Sequence, residues 1–429
     1  MAKFIEALES KMAPLAMKLD SNKYITAIKD GFFGVMSILI IGSIFLLLGN
    51  LPISGYPEFM ASILGENWLS YFMVPYDVTM NLMTIYVIIA MARSLAKTYQ
   101  LDSISAITSV LVAFLILTPF VQFEDGSFGI PVSNLGASGL FLGMITAVLA
   151  VELVRFVDKK GWKIKMPDSV PENVSRSFSA LIPALIVIIV FNLIRIGFSL
   201  TSFDTVQNLI FHYLQIPLLS LGSTLPATLL ITVFESLLWT FGIHGSNVIG
   251  GVMSPIWLAL TAENATAFAT GETIPHIVNA QFYANFMKVG GFGGTLGLAI
   301  IILISARSKQ YRTLGKLAFG PGIFGINEPL IFGIPIVLNP IMMIPFILTP
   351  IVLAVVAYFS MSTGLVPFTN GTNIPWTTPP IIAGFLVSGW KGAVLNIVQI
   401  FISMAIYYPF FKSADRIAVN QEQEEGQAA

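Results

Sequence analysis

No lysine or arginine occurs from Thr201 to Met287, and none from Leu317 to Trp390. A chain folded in water needs cationic surface at intervals, and these two stretches have none to offer. Between the clumps of charge lie apolar runs near the length of roughly 20 residues that crosses a bilayer as helix. Only 10% of the 429 residues are charged, against about 25% in ordinary soluble domains. The expected class is an all-α integral membrane protein with several spans.

Composition also excludes partners. A formal net charge of −1 provides no basic face for nucleic acid. The chain has no cysteine, which removes disulfides, thiolate nucleophiles and Cys metal sites. Its three histidines lack metal-ligand spacing, so no metal is expected. There is no Walker motif or dinucleotide fingerprint, so no cofactor is expected and ATP-driven pumping by this chain alone is disfavoured. No signal peptide is expected, because Lys3 to Asp30 is polar and has no early apolar core.

Within residues 1–30, Ile5, Leu8, Met12, Leu15 and Leu19 form one helical stripe, with Pro14 placed to kink it. Two readings fit: an amphipathic helix lying on the cytosolic leaflet, or a packed cytosolic helix. Spans are expected at about 31–51, 76–96, 104–121, 135–154, 178–200, 224–243, 246–261, 289–306, 339–360 and 392–411. With the N-terminus in the cytosol, 19 of the 22 cations fall on cytosolic segments, and the external connections 52–75, 122–134 and 201–223 hold none. The exceptions are Arg195, Lys288 and Lys391, in or at the ends of spans. Ten spans with both termini cytosolic satisfy this count.

The count requires that two stretches rich in Gly and Pro, 318–337 and 362–386, each enter and leave from one side. The first would dip in from the cytosol and the second from outside. Non-helical backbone at membrane depth must be buried in protein or line a wet cavity, and opposed hairpins commonly build a midplane transport site. Residues 31–223 read as a scaffold and 224–411 as the transport half. The acidic tail after 412 is expected to be cytosolic and, from Asn420, unstructured.

The candidate site residues follow from polar groups inside apolar runs. Glu328 lies within Phe324-Gly325-Ile326-Asn327-Glu328-Pro329. A carboxylate there either faces a cavity or caps a broken helix through its N–H groups; Asn327 beside it favours the first. Upstream, Glu235 and Trp239 stand one helical turn apart, before His244 and Asn247 at a Gly242–Gly245 break. Glu235 is as readily a carboxylic acid bonded within its own bundle. The second hairpin carries Asn370, Asn373 and Trp376. Amides suit sugar hydroxyls and an indole face suits the C–H side of a pyranose, although Trp376 also reads as an interfacial anchor. The roles of His276 and Asn279, in a polar external stretch, are open.

At these residues the sequence resembles EIIC, the membrane component of the bacterial phosphoenolpyruvate-dependent sugar phosphotransferase system, in its lactose/cellobiose/diacetylchitobiose branch. The resemblance rests on Ala27-Ile-Lys-Asp-Gly31, Trp239-Thr-Phe-Gly-Ile-His244-Gly, Gly320-Pro-Gly-Ile-Phe-Gly-Ile-Asn-Glu328-Pro and Ile374-Pro-Trp376-Thr-Thr-Pro-Pro. It implies ten spans, two re-entrant hairpins and a homodimer in the bacterial inner membrane. It also implies a β-linked disaccharide taken from outside and released inside as its 6-phosphate. By the same resemblance Glu328 and His244 are the central sugar-binding and catalytic pair, Trp239 and Trp376 the sugar-contacting aromatics, and Asn327 and Asn279 further ligands. The branch's phosphoryl donor is a phosphocysteine on EIIB. This cysteine-free chain would therefore need EIIB and EIIA as separate chains, and would carry no phosphorylated residue itself. The competing reading is an ion-coupled secondary transporter with Glu328 and Glu235 as cation or proton sites; a sensory membrane protein is the more distant one.

Overall fold

The computed structural model describes residues 14, 17–19, 21–51, 55–123, 125–164, 166–167, 170–334, 336 and 339–428. Most of the helix expected over residues 3–19 lies outside them. The first full helix, α1 (Lys23–Gly49), starts where the Asn22 side chain accepts the amides of Tyr24 and Ile25, satisfying two of the N–H groups left over at a helix start. There follow α2 (Tyr56–Leu64), α3 (Trp68–Thr79), α4 (Met83–Tyr99) and α5 (Ser103–Leu117). A two-stranded hairpin, β1 (Val121–Gln122) and β2 (Phe128–Gly129), occupies the expected external connection. Then come α6 (Leu140–Lys159) and α7 (Glu172–Ser199).

The second half is more broken. Helix α8 (Val206–Gly222), which includes a π-helical stretch over Phe211–Gln215, meets α9 (Leu225–Thr240) at a bend of 76°. After α10 (Gly245–Thr270) the chain runs without helix to a short helix, Ala280–Phe282, that continues as a π-helix over Tyr283–Met287. Five helices follow, one of them short: α11 (Leu296–Ser305), α12 (Lys309–Ile323), α13 (Glu328–Gly333), α14 (Pro340–Ser362) and α15 (Pro380–Ala428), the last broken at Ser388–Gly389.

Among the described residues six helices are long and apolar enough to cross a membrane, or seven if the bent pair α8–α9 is one span. This is a multi-pass membrane protein. Helices α5 and α11, with 15 and 10 residues, belong to the ten expected spans but are shorter than a full crossing.

Three expectations change. The span expected from 289 begins only at Leu296, because Gly290, Gly291, Gly293 and Gly294 all have positive φ and form a tight loop that only glycine enters readily. The connection 201–223 is largely helical. The tail from Asn420, expected to be unstructured, continues α15 to Ala428. It is held there by Glu422, which accepts the amides of Lys309 and Gln310 and the hydroxyl of Ser308. Sequence composition favoured a solvated tail; three hydrogen bonds to a helix start decide otherwise.

Helices α1 to α7 pack chiefly on one another, and α9 and α11 to α15 likewise, with α10 seated against α1. Close approach is allowed by small residues: a Cβ on Gly31 would stand 2.6 Å from the Met91 side chain, the kind of helix contact that membranes favour. Both stretches expected as hairpins contain a sharp break. Over 318–337, α12 and α13 are joined by the turn Phe324–Asn327, with Gly325 at φ 77°. Over 362–386, a helix-free segment follows α14 and α15 leads out of it.

Candidate functional site

The broken backbone of residues 271–295 has few helical partners, and buried unpaired N–H or C=O groups are costly. Side-chain amides supply the bonds instead. Asn264 is fully buried; its Nδ2 donates to the carbonyls of His276 (2.8 Å) and Thr369 (2.9 Å), and its Oδ1 accepts the His276 amide (3.0 Å). Gln399 donates to the carbonyl of Phe286 at 2.7 Å, and Asn396 to that of Asn285 at 2.9 Å. Tyr407 donates to Gly293, and Ser403 to Gly294. This ladder fixes the loop that delivers Tyr283 and Lys288 into the bundle.

There they meet Glu235, a fully buried carboxylate on α9. Lys288 Nζ lies 3.1 Å from Glu235 Oε1. Ser246 Oγ donates to the same oxygen at 2.6 Å, and the Tyr283 hydroxyl donates to Oε2. Lys288 Nζ also reaches Ser246 Oγ at 3.2 Å and sits 4.0 Å from the centre of the Tyr283 ring. A buried charge is tolerated only with such complete pairing. Of the two readings of Glu235, these contacts favour the one in which it is bonded within its own bundle, as an internal anchor.

Next to this anchor, α9 ends and α10 begins. Gly242 takes φ 77° to turn the chain. A Cβ on Gly245 would stand 2.4 Å from the Glu235 carbonyl and 2.9 Å from Trp239 Cδ1, so only glycine allows α10 to start hard against α9. His244 is the N-cap of α10, its Nδ1 accepting the Asn247 amide at 3.2 Å; Nε2 has no hydrogen-bond partner among the described residues. The Trp239 ring packs at 4.3 Å from the imidazole, and its Nε1 donates to Ser246 Oγ at 3.3 Å. Trp239 is buried. It packs against His244, and little of its ring is open.

The first hairpin brings Glu328 to the same place. Asn327 holds the turn, donating through Nδ2 to the Phe292 carbonyl (2.7 Å) and Thr295 Oγ1 (2.9 Å). A Cβ on Gly291, where φ is 100°, would stand 2.5 Å from Asn327 Cγ, so the glycine loop is shaped around this amide. Glu328 is the first residue of α13, exposed, without a hydrogen bond among the described residues. Its charge acts on His244, as do those of Lys288 and Glu235. The alternative that Glu328 caps its own helix through its side chain is not what the structure contains, since that terminus has no side-chain cap.

The second hairpin touches the first. The Trp376 carbonyl would stand 3.3 Å, and its ring 3.7 Å, from a Cβ on Gly325. The Trp376 side chain is 58% exposed, an open aromatic face at the turn that precedes Glu328. The amides of this region serve the backbone instead. Asn370 donates to Leu386 O and accepts the Thr372 amide, both at 3.0 Å. Asn279 accepts the amides of Gln281 and Phe282 and donates to Thr369 Oγ1 at 2.7 Å. Asn327, Asn279 and Asn370, expected as sugar ligands, bond loop backbone and side chains here, whereas the Asn247 side chain is exposed at the start of α10. His276, whose role the sequence left open, forms a 2.5 Å pair with Glu263.

The residues that sequence reasoning missed are Tyr283, Ser246 and Lys288. The signal for Lys288 was present: it is the only cation between Arg195 and Arg307, and a lone intramembrane cation demands an anionic partner. An apolar hollow of about 520 Å³, lined by residues such as Ile25, Val148 and Val252, lies away from these groups.

A multi-pass bundle with two broken, touching hairpins around polar groups defines a membrane carrier. Residues 29–350 match the family model described as "Phosphotransferase system, EIIC". The chain is 43% identical to the PTS system cellobiose-specific EIIC component of Geobacillus stearothermophilus, over 99% of this chain and 97% of that one. It is 42% identical to the lichenan permease IIC component of Bacillus subtilis (strain 168), over 99% and 96%. The crystal structure of the transporter ChbC, the IIC component from the N,N'-diacetylchitobiose-specific phosphotransferase system, superposes with a TM-score of 0.93 at 41% identity, covering 97% of this chain and 99% of that one. The chain belongs to the phosphotransferase-system EIIC family.

Proposed function

We propose that this EIIC permease binds a β-linked disaccharide of the cellobiose or diacetylchitobiose type from outside the cell. It carries the sugar across the bacterial inner membrane and presents the sugar's 6-hydroxyl to phosphorylated EIIB. The observation that carries the site assignment is the convergence of Glu328, His244 and the open face of Trp376 on one buried anchor, Glu235–Lys288. Near-full-length similarity to permeases named for cellobiose and diacetylchitobiose supports the substrate class.

In this reading Trp376 stacks on the C–H side of the pyranose. His244 Nε2, together with the exposed amide of Asn247, orients the sugar. Glu328 accepts the hydrogen bond of the 6-hydroxyl. As oxygen 6 attacks phosphorus, the O–P bond forms, the S–P bond to the EIIB cysteine breaks and the thiolate leaves; the hydroxyl proton passes to Glu328. The permease contributes alignment, which is worth most when the attack is in line. Two relatives named lactose-specific EIICB components are matched over 71% and 73% of their length; the sequence here has no cysteine, so the phosphocysteine belongs to EIIB.

Residues 31–223 serve as the scaffold and contact a second copy in a homodimer, while 224–411 carry the sugar, with both termini cytosolic. The separate packing of the two helix groups and the placement of 19 of 22 cations support this division and orientation. An ion-coupled carrier would need Glu235 to gain and lose a cation, and its pairing with Lys288 argues against that. The test is uptake into liposomes with cellobiose, lactose or diacetylchitobiose inside and outside partners controlled. Phosphosugar should accumulate only with EIIA, EIIB and a phosphoryl source, and independently of a proton gradient. Accumulation of free sugar driven by a proton gradient contradicts the proposal.

A further inference from the structure

The helix that carries Glu328's hairpin also presents a stripe of charge. On α12, Tyr311, Gly315, Ala318 and Gly322 are buried. The opposite face exposes Lys309, Arg312 and Lys316, at steps of three and four that align them on one side. Arg312 Nε donates to the Ala306 carbonyl at 3.0 Å, which steadies it, and Lys316 has no hydrogen bond or ion pair among the described residues. The charge rule already accounts for cations on a cytosolic segment; what is particular here is that they share one face of a helix that leads straight into the turn at Gly325.

The start of α12 is unusually well fixed. The buried carboxylate of Asp415 accepts the amides of Arg307 and Ser308 at 3.0 Å. Glu422, one heptad further along α15, accepts those of Lys309 and Gln310, also at 3.0 Å. The free N–H groups of the helix start, which would otherwise bind any anion, are thereby closed off by the last helix. What remains open to an anionic partner is the side-chain stripe, on a helix held rigidly.

We propose that the Lys309–Arg312–Lys316 face of α12 is the docking surface for the phosphorylated EIIB protein. The inference rests on the permease reading above and on the cytosolic orientation of this segment. Charge complementarity selects the occupant: a protein whose working group is a phosphoryl dianion, attracted to a basic stripe that points along the helix to the acceptor. A helix of 15 residues is about 22 Å long, so the stripe lines the approach from Lys309 to the hairpin tip. Docking charges of this kind act mainly on encounter rate and are screened by salt.

The experiment is a kinetic titration of phospho-EIIB against the full chain in phosphatidylcholine vesicles, with cellobiose saturating and phosphosugar as the readout. In Lys309→Glu/Lys316→Glu the apparent KM for phospho-EIIB should rise about tenfold or more, and its dependence on salt should weaken. Cellobiose affinity and kcat at saturating EIIB should stay as in wild type. Lys316→Glu alone, which leaves the Glu422 contacts untouched, should raise KM about threefold. Lys159→Glu/Lys160→Glu, a charge change of the same size elsewhere, should leave KM unchanged. Equal KM values in wild type and the α12 variants, or an equal rise in the Lys159/Lys160 variant, overturn the proposal. So does an effect seen only when phosphatidylglycerol is added, which would assign the stripe to lipid headgroups. A wild-type chain that yields no phosphosugar at any EIIB concentration instead overturns the permease reading beneath it.

Discussion

Lys288 Nζ stands 3.1 Å from Glu235 Oε1, joining a loop between two short helices to the middle of α9. Ser246 and Tyr283 complete the pairing, and Trp239, tilted at 47° against the His244 ring, is tied to it through Ser246. The pair sits behind the sugar-facing groups and sets where they point.

Removing one partner should therefore hurt more than removing both. Lys288→Met leaves a buried, unpaired carboxylate, at a cost of about 3–5 kcal/mol. Thermal unfolding in detergent should show a large drop for Lys288→Met and a clearly smaller one for Lys288→Met/Glu235→Gln. Equal losses in the two proteins would mean that the pair is not coupled.

Gly245→Ala places a methyl group 2.4 Å from the Glu235 carbonyl. Overpacking of this kind costs about 1–3 kcal/mol, and the α9–α10 junction should open to relieve it. Because His244 caps α10, sugar affinity measured by calorimetry should fall at least tenfold. Unchanged affinity would show that the position of His244 does not depend on this junction.

Asn327 and Trp376 should separate in their effects. Asn327→Asp turns a donor facing the Phe292 carbonyl into an acceptor, leaving buried groups unsatisfied at about 1–3 kcal/mol. It should speed amide exchange throughout 322–333 and lower stability. Trp376→Ala, at an exposed side chain, should leave stability unchanged while sugar affinity falls about tenfold. Sugar affinity lost and exchange unaltered in Asn327→Asp would return that residue to the ligand set.

Much of this protein was legible before its structure. Charge spacing defines a membrane protein, and the Gly/Pro content of 318–337 and 362–386 marks the two breaks that the structure contains. The Gly242–Gly245 break and the turn of helix separating Glu235 from Trp239 follow from local sequence as well. The amides show what local sequence leaves open. Asn279, Asn327 and Asn370 look like sugar ligands because polar groups in apolar runs need partners, but residues 271–295 and 363–379 are themselves broken backbone, and their N–H and C=O groups claimed those amides first. Which partner an amide finds depends on where segments about a hundred residues apart meet: Asn279 reaches Thr369 and Gln399 reaches Phe286. Periodicity cannot show this. Lys288 was visible as an exception to the charge pattern, whereas Tyr283 and Ser246 carry no sequence mark at all.

The central assignment is that Glu328 accepts the proton of the sugar hydroxyl during phosphoryl transfer, and Glu328→Gln isolates it. The substitution keeps shape and hydrogen-bonding capacity but removes the base. With cellobiose binding measured by calorimetry and turnover measured at saturating sugar and phospho-EIIB, binding should change by less than about tenfold while kcat falls about 10²- to 10⁴-fold. Turnover at the wild-type rate in a protein that still binds cellobiose would contradict the assignment.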